Sequence, residues 1–301
     1  NRYSKHGATI CILRCYKWME TTMSTLTGFI SSGGGGGTLF TIPVTKSTTW
    51  TPPFDGTAVI HCIGAGGSGG CTTNNSTSTA GGGGGYSKKT VTLSTGTNWT
   101  MVVGAGGIPK TVADLGAAGG NTTATDGSSS LVANGGAGGH FNNAGTVLGG
   151  TASGGDVNNS GGRGAGTTGS SYLTYGGGAV GVLGTGQDGS QEYGGMAGSG
   201  GHSDVQSPQF ENTNGELRGG GRGGQSINTF QLNDSRINTI SGGFLAGGGG
   251  SRDNTGNHCI SGGDGGIGGG GGNCNTYSGS EEARSGAGGN GLIIVMYTAI
   301  G

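Results

Sequence analysis

Gly262-Gly263-Asp264-Gly265-Gly266-Ile267-Gly268-Gly269-Gly270-Gly271-Gly272 is the stretch whose reading decides the fold. Its non-glycine residues, Asp264 and Ile267, stand three apart, and the same phase continues through Gly270 to Asn273. An α-helix repeats every 3.6 residues and a strand every two. A period of three fits a polyproline-II-like coil, which turns once in three residues and rises about 3.1 Å per residue. Two glycines per turn leave two bare backbone edges, so neighbouring coils can approach closely enough for N–H···O and Cα–H···O contacts. The third residue is then expected to point outward.

The same grammar recurs in Gly66-Gly67-Ser68-Gly69-Gly70-Cys71, Gly135-Gly136-Ala137-Gly138-Gly139-His140 and Gly220-Gly221-Arg222-Gly223-Gly224-Gln225. Much of the chain therefore reads as stacked polyglycine-II helices. Glycine-rich composition alone suits a flexible linker equally well, and it is the flanking segments that favour order.

Of 301 residues, 80 are glycine, which leaves few side chains for an ordinary core. Collagen is excluded, because the glycines hold no strict every-third register and only five prolines are present. Disordered chains combine low hydrophobicity with large net charge, yet this one carries −1 and several compact apolar runs. Near-neutral charge gives no electrostatic case for nucleic acid. No apolar run is long enough to cross a bilayer as a helix. The six cysteines, Cys11, Cys15, Cys62, Cys71, Cys259 and Cys274, form no CxxC pair, so a zinc site is disfavoured. Buried thiols are the plain reading. Cys259 and Cys274 bracket the opening stretch as a candidate staple.

Residues 1–37 read as an N-terminal arm and glycine spacer, and 38–301 as a glycine-rich β domain. The arm carries Arg2, Lys5, Arg14 and Lys17 around the apolar patch 10–13. That patch is too short and interrupted for a signal peptide. The arm is expected either to attach the protein or to be a frame begun upstream of a start at Met23. Leu39-Phe40-Thr41-Ile42-Pro43-Val44 reads as an edge strand, because proline cannot donate to a ladder. Residues 57–63 form a β-branched strand running into Gly64-Ala65-Gly66-Gly67, and 86–94 alternate as a half-buried strand. Residues 98–103 are expected to pair with 86–94 as a hairpin around Thr95-Gly96-Thr97. Between 107 and 289 only Ser130-Leu131-Val132-Ala133 is apolar for any length, so coils and loops are expected over 108–290. Leu292-Ile293-Ile294-Val295-Met296-Tyr297 then needs a sheet to bury it, with the early strands as its expected partners. The expected fold is mainly β: a small β-sandwich closed by the C-terminal strand, with a glycine-rich insertion of polyglycine-II helices and loops.

Trp50 before Pro52-Pro53, Ala58-Val59-Ile60-His61-Cys62-Ile63 into Gly64-Ala65-Gly66-Gly67, and the glycines 81–85 before Tyr86-Ser87-Lys88-Lys89 form an ordered series of motifs. It continues through Asn98-Trp99-Thr100-Met101-Val102-Val103-Gly104-Ala105-Gly106-Gly107, Ser153-Gly154-Gly155-Asp156-Val157-Asn158 and Gly291-Leu292-Ile293-Ile294-Val295-Met296-Tyr297. Over roughly 40–298 this series resembles the glycine-rich domain of bacteriophage tail-fibre proteins. The resemblance implies polyglycine-II helices beneath variable receptor-binding loops, or a structural part of a virion. It implies location on the virion surface, with other virion subunits and a host-surface glycan or outer-membrane protein as partners. The basic first 22 residues and the six cysteines depart from that pattern.

Enzymatic motifs are present by spelling only. Gly64-Ala65-Gly66-Gly67-Ser68-Gly69 matches the dinucleotide fingerprint GxGxxG, but Cys71-Thr72-Thr73-Asn74-Asn75-Ser76-Thr77-Ser78-Thr79 is a poor helix. Gly66-Gly67-Ser68-Gly69-Gly70 spells GxSxG, and the missing helix again argues against it. Ser68 reads instead as an outward residue. His61, His140, His202 and His258 have no diagnostic spacing, and Asp126, Asp156, Asp188, Asp264, Glu281 and Glu282 occupy no recognisable catalytic or calcium loop. Asp264 reads as a cap on backbone donors between coils. No enzyme activity, cofactor or metal is expected, and neither nucleic acid nor membrane insertion.

Recognition falls to five segments where large side chains return: 167–175, 187–193, 202–218, 225–240 and 252–259. Their candidate receptor-binding residues are Tyr172, Tyr175, Tyr193, Phe210, Phe230 and Arg218, since aromatics offer broad contact area at low entropic cost. Arg2, Lys5, Arg14 and Lys17 are the attachment candidates. The expected function is a non-enzymatic virion adhesin. The alternative is a structural virion component acting in assembly, through the arm and the sheet edges.

Overall fold

The structure, a computed structural model, describes residues 29–31, 38–72, 77–111, 114–141, 145–166, 177–178, 180–181, 184–189, 209–211, 216–218, 227–228, 236–238, 241–253, 259–276 and 283–299. Among the described residues there is no helix, and the chain is mainly β. In chain order the strands are β1 Phe29–Ser31, β2 Thr38–Val44, β3 Thr48–Trp50, β4 Gly56–Ile63, β5 Cys71–Thr72, β6 Tyr86–Leu93, β7 Trp99–Val102, β8 Thr122–Thr125, β9 Ser130–Ala133, β10 Ala152–Ser153 and β11 Val157–Asn159. Short strands follow: β12 Gln209–Glu211, β13 Glu216–Arg218, β14 Ile227–Asn228, β15 Arg236–Asn238, β16 Ser251–Asp253, β17 Cys259–Ser261 and β18 Cys274–Thr276, before β19 Leu292–Ala299.

Two antiparallel sheets make the expected sandwich. One has the order β1-β2-β19-β4-β6-β11, the other β10-β9-β8-β7-β3. Alternate residues of β4, β6 and β19 turn Ile60, Leu93, Ile293, Val295 and Tyr297 inward, onto Trp50, Trp99, Met101 and Leu131 from the facing sheet. Fully burying such a side chain stabilises by about 1.5–3 kcal/mol. The other face of the six-stranded sheet is covered as well. Ile63, Tyr86, Leu292, Ile294 and Met296 pack there against Val180, Leu245 and Ala246 of the glycine-rich insertion. β19 is thus buried on both faces and paired on both edges, with β2 and β4. That is why its apolar run is continuous rather than alternating.

Two sequence expectations are corrected. β2 is not an edge strand, because β1 pairs with its residues 39–41. Pro43 is tolerated because it lies beyond the end of β1, where one side of the ladder has stopped. Nor do β6 and β7 form a hairpin: β6 pairs with β4 and β11, whereas β7 pairs with β3 and β8. The turn, with Gly96 at φ 86°, carries the chain from one sheet to the other. Crossing over places Trp99 and Met101 in the sandwich interior opposite Ile60 and Leu93; staying in the first sheet would not. Strands also occur within 108–290, where β8, β9 and β10 complete the second sheet and β11 the edge of the first.

The glycine runs form a lattice around residues 64–71. The N–H groups of Gly64, Gly67 and Gly70 donate to the carbonyls of Gly85, Gly82 and Thr79. Those of Ala65, Ser68 and Cys71 donate to Gly120, Ala117 and Asp114, and those of Gly66 and Gly69 to Gly289 and Gly286. Donors and acceptors both step by three. The carbonyls of the same run accept from Gly107, Gly136, Gly139, Gly271 and Cys274. Residues 64–71 are therefore ringed by six runs, 79–85, 134–140, 114–120, 104–110, 285–291 and 269–274. Each run of the ring is also hydrogen-bonded to the next, as in Gly82→Ala137, Gly116→Gly139, Gly120→Ala105, Gly288→Gly107, Gly289→Gly269 and Gly81→Gly271. Residues 61–72 are all buried.

At the glycine positions no side chain fits between such runs. A Cβ on Gly66 would lie 1.9 Å from the carbonyl oxygen of Gly269, and one on Gly67 would lie 2.1 Å from that of Ala137. Each backbone hydrogen bond contributes about 0.5–1.5 kcal/mol net, and ordering each residue costs about 1–2 kcal/mol. The lattice alone therefore does not outweigh its entropy, and anchorage to the sandwich core is what makes it stable.

Residues 262–272, which suggest the period, do not form one uninterrupted run. Gly268 has φ 69°, and the chain folds back so that Gly269 donates to Gly266 and Gly272 to Gly263. Ile267, at the bend, packs against the second apolar cluster.

Candidate functional site

The lattice has two unlike ends. At one, most runs continue into or out of a sandwich strand: 64 follows β4, 85 precedes β6, 104 follows β7, 134 follows β9, 160 follows β11 and 291 precedes β19, whereas 269–274 starts at the bend around Gly268. At the other, the runs are tied to one another. Gly70 donates to Thr79 at 2.9 Å, Thr79 to His140 at 2.9 Å, Ala80 to Ala165 at 3.0 Å, Ser285 to Lys110 at 2.8 Å and Cys274 to Gly70 at 3.0 Å. The buried Asn273 amide donates to the carbonyl and hydroxyl oxygens of Ser78 at 3.1 and 2.9 Å, and Ser78 Oγ donates to the Cys274 carbonyl at 3.0 Å. His140 N–H donates to Thr79 Oγ1 at 2.7 Å, and Lys110 Nζ lies 3.3 Å from Asp114 Oδ2. The connections 73–76, 112–113, 142–144 and 277–282 leave and re-enter the described structure at this end.

A four-stranded parallel sheet, β14-β16-β18-β5, is built on the same end, because β5 is the continuation of the central run. It pairs Ile227 with Ser251, Ser251 with Cys274, and Cys274 with Cys71. β14 belongs to the recognition segment 225–240 and the end of β16 to 252–259, so two of the five segments are hydrogen-bonded to the far end of the bundle. β15 pairs parallel with β17, linking these same two segments again. Phe210 and Arg218 lie on the adjacent antiparallel strands β12 and β13, with Gln209 opposite Arg218 and Phe210 opposite Leu217. Tyr172, Tyr175, Tyr193 and Phe230 lie outside the described residues, as do Arg2, Lys5, Arg14 and Lys17.

Several of the described residues considered for catalysis make structural contacts; His202, His258, Glu281 and Glu282 lie outside the described residues. All eight N–H groups of 64–71 are used by neighbouring runs, which leaves none for a phosphate at the GxGxxG spelling. Ser68 is a correction: it is buried, not outward, and its Oγ accepts from the Ala117 N–H at 2.8 Å. The central run has neighbours on every side and no outward face. On the peripheral runs the third residue does reach solvent, as Ala105, Ile108, Leu115, Ala118, Arg163 and Asn290 show. His61 is buried, its Nδ1 2.7 Å from the Tyr86 hydroxyl, on the sheet face under the glycine layer.

The described carboxylates cap backbone donors. Asp264 accepts from Ala287 at 2.7 Å, Asp188 from Arg163 at 2.6 Å, Asp156 from Thr90 at 2.9 Å and Asp55 from Thr95 at 2.6 Å. Partial burial alone would raise the pKa of Asp126, but hydrogen bonds from Ser129 and Ser128 outweigh it and hold the carboxyl below its ordinary value. Burial pushes the Cys62 thiol far up, so it is inert as a nucleophile. Among the described residues no three of His, Cys, Asp or Glu are grouped as metal ligands, and no helix is long and apolar enough to cross a membrane.

Fold and geometry define a class, a β-sandwich carrying a hydrogen-bonded bundle of glycine runs. Residues 41–298 match the glycine-rich domain family, and the chain belongs to it. A comparison with curated proteins gives no match.

Proposed function

We propose that this is a non-enzymatic virion protein of the tail-fibre or adhesin type. In this reading its glycine runs are polyglycine-II helices that form a stiff support, and its loops bind a host-surface glycan or outer-membrane protein. The observation that carries the reading is the polarity of the bundle. One end of most runs is fixed by the sandwich, and two of the five segments where large side chains return, 225–240 and 252–259, are tethered to the other. A rigid scaffold presenting variable connections at one end is a common binding arrangement. The resemblance of the motif series to phage tail-fibre domains supplies the virion setting.

Replacing segment 225–240 with a glycine-serine sequence of equal length is expected to reduce adsorption of particles to host cells while leaving the fold intact by circular dichroism. Adsorption unchanged after all five segments are exchanged would remove the reading.

A structural role in the virion is a second reading, favoured by the outer face of the five-stranded sheet. Across its strands Thr49, Thr100, Thr125 and Ser130 stand in one register, and Val102, Thr123, Val132 and Ser153 in the next. A charge-free face of this kind suits packing against another subunit.

A further inference from the structure

At the far end of the bundle no sandwich strand fixes the runs, which are held by one another and by the β14-β16-β18-β5 sheet. Cys71 ends the central run and Cys274 ends the neighbouring run 269–274, and the two are direct register partners in the parallel pairing of β5 with β18. Adjacent strands lie about 4.7–4.9 Å apart, inside the Cα separation of about 4.4–6.8 Å that disulfides span. Partners in register present their side chains on the same face of a sheet. Here both are fully buried in one small apolar cluster whose third member is Ala283. Both are reduced in the structure. The pairing differs from the Cys259–Cys274 staple that the sequence suggested.

We propose that Cys71 and Cys274 are a disulfide site that locks the far end of the glycine bundle. The oxidant is a small-molecule disulfide such as oxidised glutathione. One cysteine thiolate attacks it, forming a mixed disulfide and releasing one thiolate. The second cysteine thiolate attacks the protein sulfur of the mixed disulfide and releases the other. The two protons lost by the cysteines end on the two released thiols, so two protein thiols are oxidised as one disulfide is reduced. Because both side chains are buried, exchange takes place during folding or local opening of this end. The bond closes a loop containing most of the chain and so constrains the unfolded state strongly. The inference does not depend on the receptor-binding reading.

The test folds the full chain with excess dithiothreitol and, separately, in a glutathione buffer containing the oxidised form. Both samples are alkylated under denaturing conditions, digested with trypsin and analysed by fragmentation mass spectrometry. Cleavage after Lys46, Lys88, Arg252 and Arg284 yields peptides 47–88 and 253–284, each with two cysteines. The expected result is a cross-link between these peptides that fragmentation assigns to Cys71 and Cys274. It should be lost on reduction, with a Tm for the oxidised form about 10 °C above that of the reduced form. Cys71→Ala should lose both the cross-link and the Tm difference. Alkylation of both Cys71 and Cys274 in the oxidised sample would overturn the proposal, as would a bond closed within 253–284 between Cys259 and Cys274.

Discussion

At the scale of single residues, this protein inverts the usual relation between side chain and packing. Gly66 is required not for its torsional freedom but for the volume it lacks, since a methyl group there meets a carbonyl that is itself hydrogen-bonded and cannot retreat. Gly96 is the opposite case. Its φ of 86° demands glycine, while nothing lies within 4 Å of where a Cβ would be. Gly66→Ala is therefore expected to lose more than about 3 kcal/mol or fail to fold, and Gly96→Ala to lose only the backbone strain, about 1–3 kcal/mol. Urea denaturation of both variants measures the difference; equal losses would show that steric exclusion at Gly66 is not what selects glycine. The small residues on the central run follow the same logic. Ala65 and Ser68 are fully buried, and Ser68 adds a hydroxyl that satisfies a backbone donor of the next run.

Among the elements, β19 holds the molecule together. It is central in its sheet and has an apolar cluster on each side, one in the sandwich interior and one under the glycine layer. Ile293→Ala is expected to destabilise by about 2–5 kcal/mol, whereas Thr298→Ala, at an exposed position of the same strand, should stay within about 0.5 kcal/mol. Chemical denaturation of the pair is the check, and a small effect at Ile293 would mean the two layers are not coupled through this strand. The partners of β19 were legible in the sequence, because a continuous apolar run after a long polar insertion can only be buried by the earlier strands. The sheet to which β7 belongs was not. Alternation in residues 99–102 shows which side chains are inward, but it is the same whether the strand continues one sheet or starts the facing one.

For the whole molecule, the decisive feature is a lattice whose seven runs share their hydrogen bonds around residues 64–71. Amides of 64–70 are expected to exchange hydrogen as slowly as those of β19, since exposing either requires global opening. Exchange at the rate of an unstructured peptide would mean that the lattice does not exist in solution. Nearly all these contacts join residues far apart in sequence, so folding should be slow for a chain of this length. The same arrangement keeps large side chains out of the lattice interior, which holds backbone and the small side chains of Ala65 and Ser68, while Ile108, Leu115 and Arg163 stand on the outer runs.

The sequence by itself determined the three-residue period, the strands that alternate and the apolar strand that closes the sheet. Each of these depends on which residue occupies a position relative to its near neighbours. Only the tertiary structure decided that 64–71 rather than 262–272 is the central run, that Ser68 is buried, that β7 crosses to the second sheet and that Cys71 faces Cys274. The physical reason is that glycine runs offer one another identical donors and acceptors, so their own residues do not select a partner. The choice is made by the strands to which the runs are tied, through a core assembled from distant parts of the chain.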